Sequence, residues 1–139
     1  MKVPGIFLFI TLLMSCGKIP DPSRKKMRFT ADWNFFRGND SLAFLPEYDD
    51  SGWRVLDLPH DWSIEGEFSR DHPGGTSQGA LPTGTGWYRK SFPAPDSGPD
   101  RWYIDFDGVY RNSDIWINGK HLGNRGSGYA SFRYDLTPY

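Results

Sequence analysis

A chain of 139 residues has room for one ordinary domain and a short appendage, and its 16 basic and 17 acidic side chains leave a formal charge of -1. No overall field recruits nucleic acid, and there is no basic helix or zinc-finger spacing, so nothing points to a DNA or RNA partner. Aromatic residues make up 17% of the chain, 16 Gly and 11 Pro punctuate it, and no long 3.6-residue apolar stripe follows residue 20, which is a β-rich pattern.

Residues 1–16, "MKVPGIFLFITLLMSC", set one lysine ahead of an apolar run over positions 6–14. The run is too short to span a bilayer as a helix and suits the h-region of a secretory signal. Its ending, Leu13-Met14-Ser15-Cys16, resembles a bacterial lipobox, in which the signal is cut before the cysteine and that sulfur carries a diacylglycerol. Acyl chains on Cys16 anchor a protein by hydrocarbon burial, at about 0.8 kcal/mol per buried CH₂. The alternative is an ordinary signal with an incidental thiol. As the only cysteine, Cys16 has no partner for an internal disulfide. Residues 17–28 carry two prolines, no apolar period and the basic cluster Arg24, Lys25, Lys26 and Arg28. They are predicted to be a flexible, solvated tether that anionic head groups can assist.

Short strands and turns follow. "MRFTADWNFF" is the first predicted strand, residues 37–52 a polar loop, and "WRVLDL" a strand stopped by Pro59, which has no N–H for a ladder. The glycine-rich stretch 73–86 lacks the spacing of a phosphate cradle and is predicted to be a long mobile loop of the kind that caps a neighbouring site. "GWYRKSF" alternates rings with charged groups and ends in the proline-rich 93–100. In "RWYIDFDG", Trp102, Ile104 and Phe106 share one face, while Tyr103, Asp105 and Asp107 share the other. "NSDIWING" runs into Asn118-Gly119, a strong type I′ hairpin signal, and "KHLG" begins the return. In "SFRYDL", Phe132, Tyr134 and Leu136 share a face. Six or seven regularly spaced strands predict an antiparallel sandwich or jelly roll, here short of its last strands, with one edge open and apolar faces partly uncovered.

The adjacent His60 and Asp61 in "LDLPHDW" invite a catalytic reading. Neighbours in an extended chain point to opposite faces, so Asp61 is badly placed to orient His60, and no G-x-S-x-G elbow supplies a nucleophile. His60, His72 and His121 have no shared ligand spacing, so no metal site is predicted, and no cofactor. Glycoside hydrolysis needs two carboxyl groups about 5 to 9.5 Å apart. Asp105 and Asp107 lie about 7 Å apart on one strand face, which is equally the solvated side of an amphipathic strand.

Four segments, "WRVLDLPHDWSIEGEF", "GTGWYRKSF", "FDGVYRNSDIWINGKHLG" and "GYASFRYDLTPY", resemble in order the amino-terminal domain of glycoside hydrolase family 2, above all its β-galactosidases. The resemblance covers residues 33–139. It implies an all-β, galactose-binding-domain-like jelly roll over 29–139, a non-catalytic module that precedes an immunoglobulin-like domain and a TIM barrel carrying the two catalytic glutamates. No catalytic residue is then expected in this chain, and Glu47, Glu65 and Glu67 stand in no such motif. His60, Asp61, Trp62, Trp87, Asn118 and Gly119 become structural signature residues. In some family β-galactosidases an asparagine after "F-D-G-V" touches the sugar. Here Tyr110 holds that place, with Arg111 and Asn112 next, so these three are candidates for a carbohydrate-proximal rim segment. The implied partners are an oligosaccharide ending in a β-galactoside or related sugar and a barrel domain in cis. The leader adds export and a lipid anchor at the periplasmic or outer-membrane face. A free-standing carbohydrate-binding module, or an inactive truncated remnant, is the alternative.

Overall fold

Aromatic and β-branched side chains suit a pleated, half-buried surface, and the run WNFFR forms the first strand, β1 (Trp33–Arg37). The computed structural model describes residues 24–94 and 101–139. The leader with Cys16, the first part of the tether and most of the proline-rich 93–100 lie outside the described residues. β1 is the centre of an antiparallel sheet, between β2 (Arg54–Leu56) and β3 (Gly86–Arg89). Phe35 stands opposite Arg54 on one side and Tyr88 on the other, and its ring is buried.

The first strand is shorter than predicted. Asp32 has φ +53°, which breaks the extended run that was expected from Met27. Asp32 gives its N–H to Asp57 Oδ1 (2.9 Å), and Lys90 Nζ donates to Ala31 O (2.7 Å), so the bend is tied to both neighbouring strands. β3 departs from simple alternation, because all four of its residues are half-buried. Trp87 meets Trp116 at 5.4 Å on one face, while Tyr88 meets Phe35 at 4.9 Å on the other.

β4 (Tyr103–Phe106) pairs with β7 (Phe132–Asp135), bringing Phe106 opposite Phe132 with ring centroids 4.8 Å apart. The predicted faces hold in both strands: Trp102, Ile104 and Phe106, and Phe132, Tyr134 and Leu136, are the less exposed sets. They are half-buried rather than buried, as a two-stranded pair gives limited cover. β5 (Ser113–Ile117) and β6 (Lys120–Arg125) form the hairpin. Asn118 at φ +48° and Gly119 at φ +76° make the type I′ turn that their sequence signals. A Cβ on Gly119 would sit 3.1 Å from Pro46 Cδ, so the turn tip is seated on the 37–52 segment.

That segment is held by one cation. Arg89, at the end of β3, donates to the carbonyl oxygens of Ala43 (2.5 Å) and Leu45 (3.0 Å) and pairs with Asp50 (3.0 Å). The glycine-rich stretch is more regular than predicted. It contains a 3₁₀ turn, Gly75–Gln78, and Ser69 N–H and Ala80 N–H donate to Ala80 O (2.9 Å) and Gly75 O (2.8 Å). Seven antiparallel strands and no α-helix occur among the described residues, which is the all-β class predicted. Phe35 and Ala43 are the buried hydrophobic residues there, whereas Val55, Ile64, Phe68, Tyr110 and Tyr129 are exposed.

Candidate functional site

His60 and Asp61 do part ways. Asp61 is extended (φ -127°, ψ 100°) and caps the 3₁₀ turn Trp62–Glu65, accepting from Ser63 N–H (2.9 Å) and from the Ser63 hydroxyl (2.6 Å). A serine, a histidine and an aspartate therefore sit within four positions without forming a triad, because the hydroxyl serves the carboxylate rather than the imidazole.

His60 turns instead toward the sheet. Its ring lies 4.8 Å from Phe35, Nδ1 is 2.8 Å from Tyr88 Oη, and Nε2 is 3.0 Å from Glu65 Oε1 and 2.8 Å from Arg54 Nη2. Protonated on Nε2, the imidazole donates to Glu65 and accepts from Tyr88; protonated on Nδ1, it donates to Tyr88 and accepts from Arg54. Arg54 Nη2 donates to both oxygens of Glu65 (2.8 and 3.0 Å). The Arg54 hydrogen bonds, then that of His60, hold the Glu65 carboxyl below its ordinary range. Burial, reinforced by the Asp61 and Glu65 charges, pushes the Tyr88 phenol up to about 12, so it keeps its proton at neutral pH. Every ionisable group in the cluster is engaged by another, and no carboxyl is raised toward use as a general acid. An open cleft of about 350 Å³ beside it is lined by Phe35, Arg37, Arg54, Trp62, Glu65 and Gly66, with the Arg37 guanidinium 4.6 Å over the Trp62 ring.

Asp105 and Asp107 share a second open cleft, about 390 Å³, with Lys26, Ser131 and Arg133. Arg133 stands directly across the ladder from Asp105 and grips both of its oxygens, Nε to Oδ1 at 2.5 Å and Nη2 to Oδ2 at 2.9 Å. The Asp105 carboxyl is held below its ordinary range, by that contact first and then by the charges of Arg133, Lys26 and Arg24. The Arg133 contact favours the charged form of Asp105, the opposite of what a glycosidic general acid needs. Of the two readings of this strand face, the geometry favours the ion-paired, solvated one. Among the described residues no three His, Cys, Asp or Glu side chains converge as metal ligands.

Tyr110, Arg111 and Asn112 are all exposed. Asn112, at φ +54°, donates its N–H to Gly126 O (3.4 Å), and the Ser131 hydroxyl donates to Asp107 O (2.9 Å), so segments 107–112 and 126–131 run side by side. Their juncture is an edge-to-face pair, Tyr110 and Tyr129, with centroids 5.7 Å apart, 67% and 88% exposed, with the Arg111 guanidinium 5.8 Å from the Tyr110 ring. Tyr129 escaped the sequence reading. Its one local signal was a ring in a glycine-rich turn. Trp62 packs on Gly86, where a Cβ would lie 2.8 Å from the indole nitrogen. Asn118 and Gly119 form the hairpin turn.

Seven antiparallel strands, with no catalytic pair brought together among the described residues, make an all-β fold that the chain shares with the amino-terminal part of glycoside hydrolase family 2 proteins. The chain matches the amino-terminal part of several such glycosidases. In particular, it is 54% identical over 117 residues to β-galactosidase BoGH2A of Bacteroides ovatus, across 84% of this chain and 14% of that protein. It is 32% identical over 146 residues to a β-glucuronidase of Formosa agariphila, across 94% of this chain and 15% of that protein. Among solved structures, a β-glycosidase from Bacteroides vulgatus superposes with a TM-score of 0.76 at 46% identity, over 80% of this chain and 15% of that one. A glycosyl hydrolase family 2 member from Bacteroides cellulosilyticus gives 0.76 at 38% identity, over 81% and 16%. The chain thus spans about one seventh of the length of the proteins it matches. No family model matches it.

Proposed function

We propose that this chain serves as the amino-terminal domain of an exported, lipid-anchored exo-glycosidase acting on a terminal β-galactoside or related sugar. The observation that carries the reading is the 54% identity with a β-galactosidase over 84% of the chain. The state of the carboxylates supports it, since Glu65 and Asp105 are committed to Arg54 and Arg133. The chemistry belongs to a barrel in cis, against which residues 29–139 pack. Tyr110, Arg111 and Asn112 form part of the pocket rim, and Cys16 carries the lipid.

The chain alone is expected to give no turnover of a nitrophenyl β-galactoside, whereas replacing the matching 117 residues of the Bacteroides ovatus enzyme with it retains that enzyme's turnover. Turnover by the chain alone that Asp105→Asn abolishes, or a folded but inactive chimera, contradicts the proposal. Anchoring is tested separately. Cells expressing the wild type incorporate radiolabelled palmitate into the chain and Cys16→Ala does not; equal labelling removes the lipid anchor from the reading.

A further inference from the structure

Residues 24–29 precede the first strand and hold the basic cluster, which as a sequence reads as free tether. Its two ends nevertheless lie beside different sheets. Phe29 is set edge-on against Phe92 at 4.9 Å and Trp33 at 5.6 Å, its carbonyl accepts from Trp33 Nε1 (2.9 Å), and Lys90 Nζ lies 5.5 Å over its ring. That is the β1–β3 side. Three positions earlier, Lys26 lines the cleft of the β4–β7 pair beside Asp105 and Asp107. Arg133 takes both oxygens of Asp105, and Lys26 is the further cation that lines this carboxylate-bearing cleft.

We propose that residues 24–29 are a strap that latches the β1–β3 sheet to the β4–β7 pair, with Phe29 as its apolar end and Lys26 as its electrostatic end. Lys25 and Lys26 carry the same charge one position apart, yet Lys26 alone of the two lines the cleft. That Lys26 and Arg24, but not Lys25, help to stabilise the Asp105 carboxylate agrees with this selectivity. The strap owes nothing to acylation of Cys16, so it stands or falls independently of the anchor.

The test is limited trypsin digestion of the full chain, with cleavage after Arg28 followed by mass and cleavage after Arg70, in an exposed loop, as the internal reference. Lys26→Gln is expected to speed cleavage after Arg28 about threefold, the scale of a surface charge contact, and to leave Arg70 unchanged. Lys25→Gln leaves both rates alone, and Lys26→Arg retains protection. Salt at about 0.5 M brings the wild type to the Lys26→Gln rate by screening. Equal rates for Lys25→Gln and Lys26→Gln, or an acceleration that Arg70 shares, overturns the strap.

Discussion

At His60 an imidazole touches a phenol, a carboxylate and a guanidinium, none of them its sequence neighbour. That Asp61 would not orient it was legible in the sequence, from the opposite directions of adjacent side chains in an extended chain. Its true partners were not, since Glu65 reaches it through a 3₁₀ turn and Tyr88 through strand pairing 28 positions away. The Glu65 carboxyl is held below its ordinary value in the folded state, so its contribution is complete above the unfolded carboxyl pKa and is lost as pH falls through the folded one. Urea midpoints of wild type and Glu65→Gln should therefore differ at pH 7, wild type higher, and converge at acidic pH. A gap that stays constant down to low pH would show that the carboxylate's charge is not what stabilises this corner.

Among the elements, the β5–β6 hairpin was the most legible, because Asn-Gly encodes its own turn through two positive φ values. The alternation of β4 and β7 was equally plain, since period two needs no knowledge of the partner strand. The 37–52 segment was opaque: the cation that organises it, Arg89, lies more than forty positions from the carbonyl of Ala43, and no local pattern announces such a contact. Gly119→Val combines a strained φ of +76° with a clash on Pro46. It is expected to destabilise the chain by about 1–2 kcal/mol, read as a lower denaturant midpoint. An unchanged midpoint would mean that the turn tip is free of the segment beneath it.

For the whole molecule, the fold class was legible from strand spacing, but the degree of burial was not, since it depends on what each face meets. Val55, Ile64 and Phe68 are 62%, 67% and 76% exposed, an apolar load that favours association in water. Light scattering from the chain alone should rise with concentration and fall when Phe68 and Ile64 are replaced by Ser; a monomer at all concentrations would show that this surface is tolerated. The strap has a last consequence for geography. Lys26 stands about ten positions after Cys16, and an extended residue covers at most about 3.6 Å. Once Cys16 is acylated as proposed, it and Lys26 are at most about 36 Å apart. In the proposed function, that bound keeps the domain close to the membrane that holds the anchor.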